Sequence, residues 1–193
     1  MDALRVSALR ERLAGSGWLE STREFGGELR RSVTRRASRG LLLVGTEAYE
    51  PWHLAAHLDE EAARSGAALL APTLLRHSVP AGAPAHLSHG LRLLSERPRG
   101  TTVLLVAPAA PDEVLLERVE DARRGGATVL ALDGDTGGPA APVHQRLAVP
   151  GLAGEPFDLV QHLVSAAAGA PAARTPRLAR LAELLTAPPA LRW

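Results

Sequence analysis

The apolar residues of this chain alternate between helical spacing and short uninterrupted runs. Two helices are predicted first, over residues 2–14 and about 18–38, where leucines and valines recur every three or four positions. Continuous apolar runs, typical of buried parallel strands, then follow at 41–44, 67–72, 101–107, 127–133 and, more weakly, 146–150. Helical patterns separate or follow these runs after Pro51 and at about 84–97, 114–126, 155–168 and 175–187.

This alternation predicts an α/β protein with a five-stranded parallel sheet, right-handed crossovers and helices on both faces. We expect the three-layer αβα domain to cover residues 41–168. Residues 1–40 are predicted to be N-terminal helices that serve oligomerisation. Residues 169–193 are predicted to be a linker, a C-terminal helix and a tail.

The composition limits the function classes. Of 193 residues, 46% are hydrophobic and 22% charged, which is typical of a globular protein. The absence of cysteine excludes disulfides, thiol catalysis and thiolate metal sites. No apolar run reaches membrane length and the N-terminus has no signal-peptide core, so we expect a cytoplasmic protein with no membrane partner.

The charge balance gives little support for a nucleic-acid partner. The formal net charge is only +1, although an arginine-rich segment stands at residues 30–39. That segment is either a phosphate-binding patch or the solvated face of a helix that also carries Glu20, Glu24 and Glu28. We favour the solvated face, so a nucleic-acid partner is not expected.

The first predicted strand ends in a turn that we expect to bind a ligand. Gly45 closes the strand, and Pro51 with Glu50 beside it marks the start of a helix. His53 and His57 then lie four residues apart on one face of that helix. Open α/β sheets bind ligands at such turns, beyond the carboxyl ends of the strands.

Three segments together resemble the sugar isomerase (SIS) domain family, most closely its phosphoheptose isomerase branch. HLAAHL at 53–58 stands where the family has His-Phe-Ala-Ala-Glu-Leu after its first turn. ALDGDTGG at 131–138 resembles a segment that closes a later family strand. Glu155 and His162 match a glutamate and a histidine, seven residues apart, on the last core helix of the family. The resemblance covers roughly residues 25–168 and implies flavodoxin-like strand order and assembly as dimers or tetramers.

The resemblance also implies which residues bind a ligand. The first turn contributes Thr46, Glu47, Tyr49 and Glu50, and the later matched positions are Asp112, Asp133 and Glu155. The family's hydroxyl-rich phosphate loops are replaced here by carboxylates at 47 and 50 and by PAAPD at 108–112. Carboxylates oppose a phosphate, and proline lacks a backbone donor, so family-style phosphate binding is not expected.

The catalytic pair differs from the family pattern as well. His57 occupies the position of the family's glutamate base, and His162 corresponds to its late histidine. Imidazole can act as a base near neutral pH, so His57 and His162 are the candidate catalytic residues. In some family members the equivalents of His53, His57 and His162 help to hold Zn²⁺. Their fourth ligand, a glutamine, corresponds here to Gly154.

Three functional hypotheses follow. The first is a non-catalytic SIS-fold homo-oligomer that binds a carbohydrate derivative, another small ligand or a protein partner. The second is a divergent sugar or sugar-phosphate isomerase of the phosphoheptose isomerase type, acting either with or without a metal at the three histidines. The third is a nucleic-acid or replication-associated adaptor, since a relative of phosphoheptose isomerase binds a replication initiator protein. The degraded phosphate loops favour the first.

Overall fold

The computed structural model describes residues 2–96, 99–134, 143–149 and 157–170 and contains a five-stranded parallel sheet. Its strand order is β2-β1-β3-β4-β5, which is the flavodoxin-like order. The strands are β1 (Leu41–Val44), β2 (Pro72–Leu75), β3 (Thr102–Ala107), β4 (Thr128–Gly134) and β5 (Gln145–Val149). The helices are α1 (Asp2–Leu13), α2 (Trp18–Thr34), α3 (Trp52–Ser65), α4 (Leu93–Glu96), α5 (Glu113–Arg124) and α6 (Phe157–Gly169). The predicted three-layer α/β architecture is therefore confirmed.

Alternate strand residues supply the two hydrophobic cores. On one face, Leu43, Leu104 and Leu130 pack with α1, α2, α3 and α6. On the other face, Val44, Leu105 and Val129 pack with α4 and α5. Burial of strands on both faces explains their uninterrupted apolar runs. Each fully buried leucine contributes about 1.5–3 kcal/mol of transfer free energy.

The N-terminal helices belong to the same core as the sheet. Leu9 and Leu13 of α1 and Phe25 and Leu29 of α2 are buried in one cluster with β1, β3, β4 and β5. In addition, α2 packs along α6, and α6 packs against α3. The predicted boundary at residue 40 therefore does not separate two cores, because α2 completes one helical layer of the domain.

Two predicted elements differ from the structure. The second strand is Pro72–Leu75, whereas the run 67–72 forms a short 3₁₀ helix (Ala68–Leu70) before it. The predicted helix over 84–97 is reduced to a 3₁₀ turn (Ala85–Leu87) and the single turn of α4. The middle of the predicted helix instead lies beside the residue that follows β2. There the Arg76 amide donates to the His89 carbonyl at 2.9 Å, and Arg76 forms a parallel bridge with Gly90.

Some predictions lie outside the described residues. These are the C-terminal helix at 175–187, the tail and the start of the last core helix. Within the described part of the chain, no helix is both long enough and apolar enough to cross a bilayer.

Candidate functional site

Three histidine rings meet where α3 packs against α6. The Nε2 atom of His53 lies 2.9 Å from Nε2 of His162 and 3.2 Å from Nε2 of His57. One candidate ligand atom from each ring lies within 4.8 Å of the others. The rings are partly exposed, so the cluster is accessible from solvent. The structure thus brings together all three predicted metal ligands, including both candidate catalytic residues.

The positions of these rings follow from the packing of the two helices. Leu54 and Leu58 point from α3 into the core and are fully buried, which leaves the preceding residues, His53 and His57, at the side of the helix. On α6, Leu163 is buried beside His162 in the same way. Since α3 and α6 lie side by side, these lateral residues meet at the seam between them.

The three ring nitrogens are close enough together to hold one divalent transition metal. A ring nitrogen carries either one proton or one in-plane lone pair, so His53 Nε2 forms at most one linear hydrogen bond. It nevertheless lies within 3.2 Å of two other ring nitrogens. A tetrahedral Zn²⁺ with Zn–N distances near 2.0–2.1 Å would separate its nitrogen ligands by about 3.3–3.4 Å. The His53–His57 separation of 3.2 Å is close to that value, and the His53–His162 separation of 2.9 Å is 0.4–0.5 Å shorter.

Glu60 supports the orientation of one ring. Its carboxylate lies 3.4 Å from Nδ1 of His57, on the side of the imidazole opposite the cluster. A carboxylate near Nδ1 favours a proton on that nitrogen, which would leave the Nε2 lone pair available to a metal. Within the described residues, the metal-ligating group consists of the three histidines alone.

Tyr49 forms a polar network with the first turns of α6. Its hydroxyl donates to the Asp158 carboxylate and accepts from Nε2 of Gln161 at 2.5 Å. Its ring packs edge-to-face on Phe157 with a centroid separation of 5.8 Å. Burial, and then the hydrogen bond to Asp158, raises the pKa of the Tyr49 hydroxyl well above its usual value. The hydroxyl is therefore a fixed hydrogen-bond donor and not a base.

The rest of the first turn is held by its own contacts. Gly45 is required there, because a Cβ would lie 1.8 Å from the Tyr49 carbonyl oxygen. Thr46 is buried. Glu50 forms an ion pair with Arg76 at 3.0 Å and accepts a hydrogen bond from the Trp52 indole at 2.8 Å. The predicted ligand-binding carboxylate at 50 is thus already engaged within the protein.

Glu47 and Asp112 border a different space, a crevice beyond the carboxyl ends of β1 and β3. This crevice has a volume of about 810 Å³, and its wall includes His77, Arg92 and Arg118. Asp112 also caps α5, because its carboxylate accepts from the Leu115 amide at 2.8 Å. The crevice shares none of its lining residues with the histidine cluster.

Of the two remaining predicted ligand residues, Asp133 belongs to the described part of the chain and lies away from both the crevice and the histidine cluster. Asp133 is fully buried at the end of β4 and pairs with Arg146 at 2.6 Å. Burial raises the pKa of the Asp133 carboxyl, while the Arg146 guanidinium opposes that shift. Glu155 lies outside the described residues.

Sequence reasoning missed several partners of these residues. Asp158 and His162 are spaced four apart on α6, and that signal could have drawn attention to Asp158. His77 was missed because the second strand was placed too early, which hid its position just beyond the strand end. Arg76 carries no local signal for its pairing with Glu50.

No protein-family model matches this chain, and no curated protein sequence matches it either.

Proposed function

We propose that this protein binds a divalent transition metal, best Zn²⁺, through His53, His57 and His162. The observation that carries the proposal is the double contact of His53 Nε2, at 2.9 and 3.2 Å from two ring nitrogens. Hydrogen bonding accounts for only one of these contacts, whereas a shared cation accounts for both. When bound, the ion would supply Lewis acidity toward a carbonyl or hydroxyl oxygen of a small ligand.

The chain's own residues hold the site in place. Leu54, Leu58 and Leu163 fix α3 and α6 by burial, and Glu60 orients His57. A metal bound by three imidazoles keeps a further position for an oxygen ligand. This proposal is compatible with the SIS resemblance. It is also compatible with the hypothesis of a metal-dependent isomerase, in which His57 and His162 would bind the metal.

Metal analysis of protein purified without a histidine tag tests the proposal. We expect about one Zn²⁺ per chain, and we expect Co²⁺ substitution to give the visible absorption of a tetrahedral site. His57→Ala should lose most of the binding, while His86→Ala, which removes an exposed histidine outside the cluster, should retain it. An absence of Zn²⁺ uptake, or equal uptake by the His57→Ala variant, would refute the metal site.

A second candidate function is binding of a neutral, polyhydroxylated small ligand in the crevice, by an SIS-type homo-oligomer. The supporting observation is the location of this space at the switch point between β1 and β3, where flavodoxin-like sheets bind ligands. Its charges nearly balance, with Glu47 and Asp112 facing Arg118 and with Arg92 paired to Glu96 at 2.9 Å. Such a balance favours a neutral sugar derivative over a phosphate.

Two measurements address this second candidate. Calorimetry should show weaker binding of hexose phosphates than of the corresponding unphosphorylated neutral sugars. Sedimentation equilibrium at micromolar concentration should give a dimer or tetramer. Micromolar affinity for a sugar phosphate would contradict the charge argument, and a monomer would contradict the assembly.

A further inference from the structure

Four exposed arginines gather at the amino ends of the strands, opposite the edge that carries the crevice. They are Arg35 and Arg36 after α2, Arg39 before β1 and Arg99 before β3, and we call them the amino-edge patch. Three of them belong to the arginine-rich segment at 30–39, which we interpreted from the sequence as a solvated helix face, whereas Arg99 is 60 positions or more away and joins them only in the folded structure. The formal net charge of +1 for the whole chain also gives no indication of a local positive patch.

Backbone contacts between three loops create the patch. The Arg39 amide donates to the Gly100 carbonyl at 2.9 Å, and the Gly100 amide donates to the Gly126 carbonyl at 3.3 Å. A Cβ on Gly126 would lie 3.7 Å from the Arg99 Cα atom, so these two loops touch. The Arg35 side chain reaches the first residue of β4 and donates to the Thr128 hydroxyl. The arginines therefore lie over three neighbouring strands, about 10 Å across at 4.8 Å per strand.

The patch lacks compensating carboxylates among the described residues. Its four arginines form no ion pair there, whereas Arg23, Arg31, Arg64 and Arg92 each pair with a glutamate on their own helix turn or the next. Toward its C-terminal end, α5 carries the acidic residues Glu120 and Asp121. Both lie within ion-pair distance of Arg123 or Arg124. The amino edge is consequently positive, and unpaired exposed guanidinium groups favour phosphate.

We propose that the amino-edge patch binds the phosphate backbone of double-stranded nucleic acid without sequence preference. The large exposed apolar side chains of the described residues lie outside residues 35–40, 99–101 and 123–128. Without them the patch lacks an apolar centre for a protein interface or for insertion into a membrane. Residues 35–40, 99–101 and 123–128 also contain no aromatic ring on which single-stranded bases could stack. A duplex places one charge every 1.7 Å or so along its axis, which matches a compact arginine surface.

Fluorescence anisotropy with a labelled mixed-sequence DNA duplex, at several salt concentrations, tests this proposal on the full chain. We expect binding with a log–log salt slope near −3.6, since each phosphate contact contributes about −0.9. The triple variant Arg36→Gln, Arg39→Gln, Arg99→Gln should reduce the slope by about 2.7 and weaken binding at low salt. Arg35 is left intact because it also bonds to Thr128.

A control variant removes the same charge elsewhere. This control is a triple variant in α1 and the first half of α2, Arg10→Gln, Arg12→Gln, Arg23→Gln. It should bind the duplex as the unchanged protein does. Circular dichroism verifies that both variants fold, and a chelator in all samples separates this test from the metal site. Equal slopes for the two variants, no duplex binding, or retention by phosphatidylserine vesicles in place of the duplex would overturn the proposal.

Discussion

Gly26 of α2 packs directly on Ala167 of α6, so closely that a Cβ at position 26 would lie 2.6 Å from the Cβ of Ala167. The same added atom would lie 2.7 Å from backbone atoms of residues 167 and 168. This contact lets α2 and α6 approach each other and so holds in place the helix that carries His162. The neighbouring Gly27 meets only the end of the Arg31 side chain, at 3.4 Å.

Gly26→Ala and Gly27→Ala should therefore change stability in opposite directions. Alanine is favoured over glycine inside a helix by about 1 kcal/mol, and Gly27→Ala should gain up to that amount. Gly26→Ala should instead lose about 1–3 kcal/mol, because the helices must separate to accommodate the methyl group. Urea unfolding followed by circular dichroism measures both. A stabilised Gly26→Ala variant would contradict the close packing of α2 on α6.

The Tyr49 hydroxyl should resist ionisation in the folded protein. Burial and the Asp158 carboxylate raise its pKa, and it is the only tyrosine in the chain, so its absorbance is unambiguous. Because the folded pKa exceeds the unfolded one, the stabilising contribution is complete below about pH 10 and is lost as the pH rises further. Tyrosinate absorbance should appear together with alkaline unfolding. Its appearance near pH 10 in folded protein would contradict the burial of the Tyr49 hydroxyl and its hydrogen bond to Asp158.

The stability of Asp133→Asn relative to the unchanged protein should increase as the pH rises above about 4. Burial raises the pKa of this carboxyl, so the folded state binds its proton more readily than the unfolded chain does. The contribution of Asp133 to stability is therefore highest below about pH 3.9, the reference value for aspartate, and falls as the pH rises through the folded pKa. Denaturant unfolding of both proteins across this range measures the difference. A pH-independent difference would contradict the prediction.

Glu60→Gln should weaken Zn²⁺ binding about tenfold, because residues that orient a metal ligand typically contribute a factor of 10–100. The effect acts through His57, whose Nδ1 lies 3.4 Å from the Glu60 carboxylate. Competition with a chromophoric chelator gives the dissociation constants. Asp59→Asn, which removes the adjacent exposed carboxylate, serves as the control and should leave the affinity unchanged. Equal affinities for the two variants would leave Glu60 without a role at the site.

The sequence by itself determined the fold class. Strands buried on both faces must be apolar throughout, so β1, β3 and β4 were visible as uninterrupted runs. The helices between them were visible from the helical spacing of their apolar residues. The second strand was misplaced because the two apolar runs around Pro72 look alike without their neighbours. Only the pairing of Leu41 with Pro72 distinguishes the strand from the 3₁₀ helix before it.

The candidate site was only partly determined by the sequence. The spacing of His53 and His57 is local to one helix, whereas His162 joined them at first only through the family resemblance. The packing of α3 on α6 was needed to bring the rings within contact distance. The contacting pairs Tyr49–Asp158, Glu50–Arg76 and Arg39–Gly100 are likewise distant in sequence. Tertiary structure decided these relationships, because side-chain chemistry depends on distances that chain folding sets and local periodicity does not encode.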